Sequence, residues 1–140
     1  MELARPVASV KVLALDFGRA RTGVAVSDPT GTVARPLCVV ERVATEDGLV
    51  SLLDVIAAQQ PEEVVVGLPL TLAGERGEQA VETERFVEKL RSRTDVPVVT
   101  FDERFTTVLA QQGPSSAGED ATAAAHLLSS YLTWSSDARA

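Results

Sequence analysis

The sequence is poor in the residues that carry sulfur and imidazole chemistry. Cys38 is its sole cysteine and His126 its sole histidine. An intrachain disulfide is therefore excluded, and so are zinc frameworks built from several Cys and His ligands. Any metal must be a hard cation held by oxygen. No apolar run approaches the ~18 residues of a membrane span. The first fifteen residues also lack the basic segment, apolar stretch and cleavage site of a secretory leader, so the cytoplasm is the expected location and no membrane partner is expected. Aromatic residues make up only 4% of the chain. Positive charge is short too: 13 Lys and Arg against 20 Asp and Glu give a net charge of −7. A generic basic nucleic-acid coat is ruled out by that balance, and a nucleic-acid partner needs its positive charge concentrated locally. The 140 residues suffice for one domain and not for two, with 1–9 and 135–140 expected to be flexible tails.

What is present reads as an α/β pattern. Val10 to Phe17 is a short β-branched apolar run that ends at Asp16, dense enough for a strand buried on both faces. Gly18-Arg19-Ala20-Arg21 turns the chain into a second strand, Thr22 to Asp28. A third follows from Thr32 to Val43, where Pro36 favours a sheet edge. Leu49, Leu52, Leu53, Ile56 and Ala57 fall at helical spacing, and Pro61 closes that helix. Glu63 to Leu68 is a strand reached by a crossover and hence parallel to the first. Leu70 to Gly77 is a loop, and Ala80 to Arg93 a charged helix with Glu84 and Glu88 placed for ion pairs. A fifth strand spans Val96 to Phe101. A small-residue loop covers Gln111 to Gly118, and a last helix runs from about Glu119 to Trp134. The order βββαβαβα predicts one five-stranded mixed sheet, a three-stranded antiparallel meander followed by two parallel strands, flanked by helices. Such sheets gather functional groups at the ends of their parallel strands.

Asp16 and Glu103 stand at two such ends. Carboxylates held close together repel unless a cation or proton lies between them, and Mg²⁺ or Mn²⁺ with its oxygen ligands is the natural filler. Asp120, opening the last helix, is available as a third acid. Three acids can support one or two metal ions that orient an attacking water and neutralise the leaving oxygen of a phosphodiester, with no histidine base required.

Four stretches carry a resemblance. Asp16-Phe17-Gly18 with Arg21 to Asp28 is the first, and Val66-Gly67-Leu68-Pro69-Leu70 with Gly74 and Gly77 the second. Asp102-Glu103-Arg104-Phe105-Thr106-Thr107 is the third, and Asp120 with Ala123, Ala124, Leu127, Leu128 and Tyr131 the fourth. Together, from Val10 to Leu132, the chain resembles the YqgF (RuvX) family of Holliday-junction resolvases, also described as pre-16S ribosomal RNA nucleases. The resemblance implies an RNase H-like fold and metal-dependent hydrolysis of RNA or DNA. In that frame Asp16, Glu103 and Asp120 are the catalytic, Mg²⁺- or Mn²⁺-holding acids, with Asp102 an extra ligand, and a homodimer is a possible state. Two departures stand out: the segment before Asp120 reads Gln-Gln-Gly-Pro-Ser-Ser-Ala-Gly-Glu without the family's basic residues, and Leu109 replaces a frequent Glu.

Plainer roles compete for each residue. Asp16 is also a turn former before Gly18, Glu103 a first-turn acid, and Asp102 an N-cap. Ser116 to Glu119 fits a capping box that would leave Asp120 a dipole-complementing acid. Arg19, Arg21, Arg35, Arg76 and Arg104 are expected around the strand-end loops as a phosphate-binding rim, or else paired with nearby acids. Gly74 and Gly77 suit backbone contact with a phosphate, or simple flexibility. Trp134 and Tyr131 are expected to pack rather than stack on bases, and Cys38 to be an inert buried thiol. Two rival functions remain. One is a non-catalytic nucleic-acid or ribosome-assembly binding module. The other is an ATP-binding fragment, since Asp16 to Gly23 is also similar to the phosphate loop of actin-like ATPases, although these need a second domain.

Overall fold

A computed structural model describes residues 11–106 and 117–139. In the first strand, β1 (Val12–Asp16), four consecutive side chains are buried and only the terminal Asp16 reaches partial exposure. β2 (Arg21–Ser27) returns antiparallel beside it, with Leu13 opposite Val26 and Asp16 opposite Gly23. β3 (Ala34–Glu41) forms the outer edge, and Pro36 sits there beside a bulge between Val24 and Ala25. An edge position tolerates the missing N–H of proline.

α1 (Glu46–Gln59) starts where the Thr45 side chain accepts the Gly48 N–H at 3.1 Å, and it ends on Gln60 in the left-handed region, one residue before Pro61. β4 (Glu63–Leu68) then lies parallel to β1, α2 (Glu78–Arg91) crosses back, and β5 (Val98–Asp102) lies parallel to β4. β5 begins two residues later than the sequence suggests, because the Val96 N–H goes to Thr94 Oγ1 and Pro97 has no N–H to give. The sheet order is β3-β2-β1-β4-β5, the mixed five-stranded arrangement read from the sequence. A single 3-10 turn, Glu103–Phe105, follows β5, and α3 spans Ala117–Arg139. Helix continues past 134, with Ser135 buried, so the tail expected from 135 is helical as far as Arg139. The expected tail at 1–9, and the loop before Ala117 with its Ser116 cap, lie outside the described residues.

Alternation along the strands divides the core in two. Leu13, Leu15, Val24, Val26, Val64 and Val66 face α1 and α2 and pack with Leu49, Leu52, Phe86 and Leu90. Val12, Ala14, Ala25 and Val65 face α3 and pack with Ala124, Leu128 and Tyr131. The second face is made of smaller side chains, which lets α3 lie close to the sheet. At its closest approach a Cβ placed on Gly23 would fall 2.0 Å from the Asp120 carbonyl oxygen. Glycine at position 23 therefore sets where Asp120 stands.

Candidate functional site

β1 and β4 run in parallel and end side by side, with β5 ending beside β4, so the residues at their carboxyl ends share one edge of the sheet. Asp16 ends β1. Glu103 opens the 3-10 turn after β5, and its side chain folds back across β4: a Cβ on Gly67 would lie 2.6 Å from Glu103 Oε2. A lone glycine within an apolar strand is the mark of such an approach, so Gly67 could have been read from the sequence as the floor under Glu103. Asp120 reaches the same edge from α3, above Gly23, the residue opposite Asp16.

Electrostatics ties these acids together. Burial pushes the Asp16 carboxyl up to about 6, with the neighbouring Asp120 charge adding to the shift. Burial raises Glu103 to about 7, reinforced first by Asp16 and then by Asp102. Asp16 is thus the middle member of a row, feeling Asp120 and felt by Glu103. Asp120 Oδ2 lies 3.0 Å from Arg21 Nε, yet it is sealed from solvent and accepts no well-aligned hydrogen bond. The short distance gives charge neutralisation without a directed bond. Among the described residues no group of three or more His, Cys, Asp or Glu side chains is arranged to hold a metal ion as it stands. The donor chemistry nevertheless suits a hard cation: carboxyls that burial first, and neighbouring acids second, hold against ionisation, together with a buried oxygen lacking a hydrogen-bond donor. Asp120 is already partly answered by Arg21, so it would join such an ion only by exchanging that partner.

Asp102 takes the capping role. Its Oδ1 accepts the Arg104 N–H at 2.9 Å, and the Arg104 guanidinium grips both its oxygens at 2.6 to 3.1 Å, which holds this carboxyl below the usual range. Arg104 also reaches the Leu72 carbonyl, tying the 69–77 loop to the turn that bears Glu103.

Asp16 and Glu103 line an open cleft of about 500 Å³ whose other walls are Phe17, Gly18, Pro69 and the first turns of α2. Across it Arg19 is paired with Glu82. Arg76 is paired with Glu84, its Nε at 2.9 Å. The expected arginine rim is therefore largely matched with acids: Arg19, Arg21, Arg76 and Arg104 each have a carboxylate partner. Arg35 does not belong to the rim at all. It pairs with Val26, which faces Leu13, and so lies toward the opposite end of the sheet from Asp16. The sequence hides this, because only strand register separates the two ends of the sheet. Gly77 caps α2 without a side-chain bond, and the start of that helix opens on the cleft through Glu78 and Gln79. Tyr131 packs, as expected, whereas Trp134 is half exposed. Cys38 is partly covered, and burial pushes its thiol up, which suits an unreactive role.

The family model RuvX, described as Holliday junction resolvase, matches residues 10–134. A "Putative pre-16S rRNA nuclease" of Roseiflexus sp. (strain RS-1) is 44% identical over 102 residues, covering 73% of this chain and 72% of the relative. A protein of the same description from Desulforudis audaxviator (strain MP104C) is 39% identical over 132 residues, covering 88% and 94%. Among solved structures, T. thermophilus RuvC in complex with Holliday junction substrate is similar with a TM-score of 0.55 and 18% identity, over 90% of this chain and 96% of that one. That likeness carries the fold, an RNase H-like α/β sheet with RuvC-like topology. No helix among the described residues is long and apolar enough to cross a membrane.

Proposed function

The chain belongs to the RuvX family, and on that premise we propose that it is a nuclease that hydrolyses phosphodiester bonds of nucleic acid, with pre-16S ribosomal RNA as the first candidate substrate and DNA junctions the second. The observation that carries this reading is the row Glu103–Asp16–Asp120 at one edge of the sheet, two of its members beside an open cleft with carboxyls raised by burial and mutual repulsion. Asp16 and Glu103 would hold Mg²⁺ or Mn²⁺, with Asp120 as the third acid. Asp102 is left to cap its turn, since Arg104 occupies it. When bound, such an ion supplies Lewis-acid activation of water and neutralises charge at the phosphate.

The chain's own residues do the rest. Glu103, raised to about 7 by burial and by Asp16, carries a proton in a sizeable fraction of ion-free molecules near neutral pH, so an ion must displace that proton to bind, and its uptake grows as pH rises. Arg19, exposed at the cleft rim, positions a phosphate by exchanging Glu82 for it. With so few cations available, binding is weak and falls as salt rises.

The test is cleavage of single-stranded, duplex and four-way substrates with Mn²⁺. Asp16→Asn, which removes the central charge and keeps the shape, should lower the rate by about 10²-fold or more while the circular dichroism stays unchanged. An equally active Asp16→Asn protein would remove the acids from the chemistry. The Arg21–Asp120 contact favours a second reading, a nucleic-acid binding module without turnover. An inert wild-type protein that still binds these substrates would establish it.

A further inference from the structure

The chain has four Phe, one Tyr and one Trp, and four of these six rings meet in one place. Phe101, 5% exposed at the end of β5, forms the centre, with ring centroids 5.5 Å from Tyr131, 5.8 Å from Trp134 and 6.1 Å from Phe105. Tyr131 is fixed from beneath, because its hydroxyl donates to Glu63 Oε1 at 2.7 Å and its ring meets Phe101 edge-on. The outer two rings are not covered: Phe105 is 62% exposed and Trp134 52%. Core formation explains the inner pair and leaves the outer pair without a task.

Their position supplies one. Phe105 lies on the same 3-10 turn as Glu103, two residues further on, and the Glu103 side chain folds over Gly67, the register partner of Phe101, so the rings and the acid share the end of β5. We propose that Phe105 and Trp134, backed by Phe101, form a stacking platform for the unpaired bases of a single-stranded nucleic acid whose backbone enters the Asp16–Glu103 cleft. This rests on the nuclease reading and narrows its substrate class. Every base offers a flat π face, whereas a duplex keeps those faces inside its own stack. The rings are already held by Phe101 and Tyr131, so little side-chain freedom is lost when a base settles on them. Stacking also adds affinity that does not depend on positive charge, which this acidic chain largely lacks.

Trp134 is the sole tryptophan, so the full-length protein reports on its own platform. Its fluorescence is followed while a single-stranded oligonucleotide, an abasic oligomer of equal length, or a blunt duplex is added with Ca²⁺ in place of Mn²⁺. The single strand should quench Trp134, and the abasic oligomer and duplex should not. By anisotropy with a labelled oligonucleotide, Phe105→Ala should weaken single-strand binding roughly 5- to 100-fold and leave abasic binding unchanged, with Phe105→Tyr restoring it. Equal quenching by the abasic oligomer, or unchanged binding by Phe105→Ala, would overturn the platform. Burial of Trp134 in a protein dimer at rising concentration, without nucleic acid, would also overturn it. Failure here with Mn²⁺ cleavage intact in Phe105→Ala and Trp134→Ala removes the platform alone, whereas absence of all nucleic-acid binding removes the nuclease reading with it.

Discussion

Asp16 and Glu103 are acids whose folded surroundings favour their protonated forms, with carboxyls near 6 and 7 in place of the ordinary 3.8 and 4.5. A carboxyl raised on folding contributes fully below its unfolded value, and that contribution is lost as pH rises through the folded value. The ion-free protein should therefore lose stability between about pH 4 and pH 7.5, by roughly 2 kcal/mol from Asp16. Thermal melts across that range should show the decline, and Asp16→Asn should remove the Asp16 share of it and leave that of Glu103. A slope unchanged by the substitution would mean that folding does not raise the Asp16 carboxyl. Gly67 supports the same group from below. Gly67→Ala puts a methyl where Glu103 Oε2 now lies, so the carboxylate must move. Cleavage should fall by about 10²-fold, since small misplacements of a reacting group cost that much, while the melting temperature changes by only a few degrees. Both acids were legible in the sequence because each closes an apolar strand. The pairing of Arg19 with Glu82 was not, since nothing local tells that α2 lies across the cleft from the β1–β2 turn.

At the scale of elements, the approach of α3 to β2 decides whether Asp120 joins the other acids. Gly23 permits that approach, and a Cβ there would overlap the Asp120 backbone. Gly23→Ala should destabilise the protein by about 1–3 kcal/mol through overpacking and displace Asp120, measured by urea unfolding and by loss of cleavage. A protein with normal stability and rate would show that α3 tolerates a different seat. The strands β2 and β4 were readable to within a residue and β1 to within two, because their apolar runs are short, β-branched and bounded by turn residues. The start of β5 and the end of α3 were not, because the first depends on which N–H groups Thr94 and Pro97 leave for the ladder, and the second on tertiary burial of Ser135. Arg35 stands outside the expected rim for a related reason: strand register, which only pairing reveals, sends it toward the far end of the sheet.

For the whole molecule, an acidic chain would meet the polyanionic substrate proposed above through groups gathered at one edge of the sheet. Three distant segments, ending or opening at Asp16, Glu103 and Asp120, converge there because two parallel crossovers and a C-terminal helix fold to that edge. The central claim is that these acids share a divalent cation. Its most direct test is Mn²⁺ binding at pH 7.5, followed by electron paramagnetic resonance, for the wild type beside Asp16→Asn, Glu103→Gln and Asp102→Asn. The wild type and Asp102→Asn should take up Mn²⁺ alike, and the other two should lose at least tenfold in affinity. Equal Mn²⁺ binding by all four proteins, or none by the wild type, would contradict it.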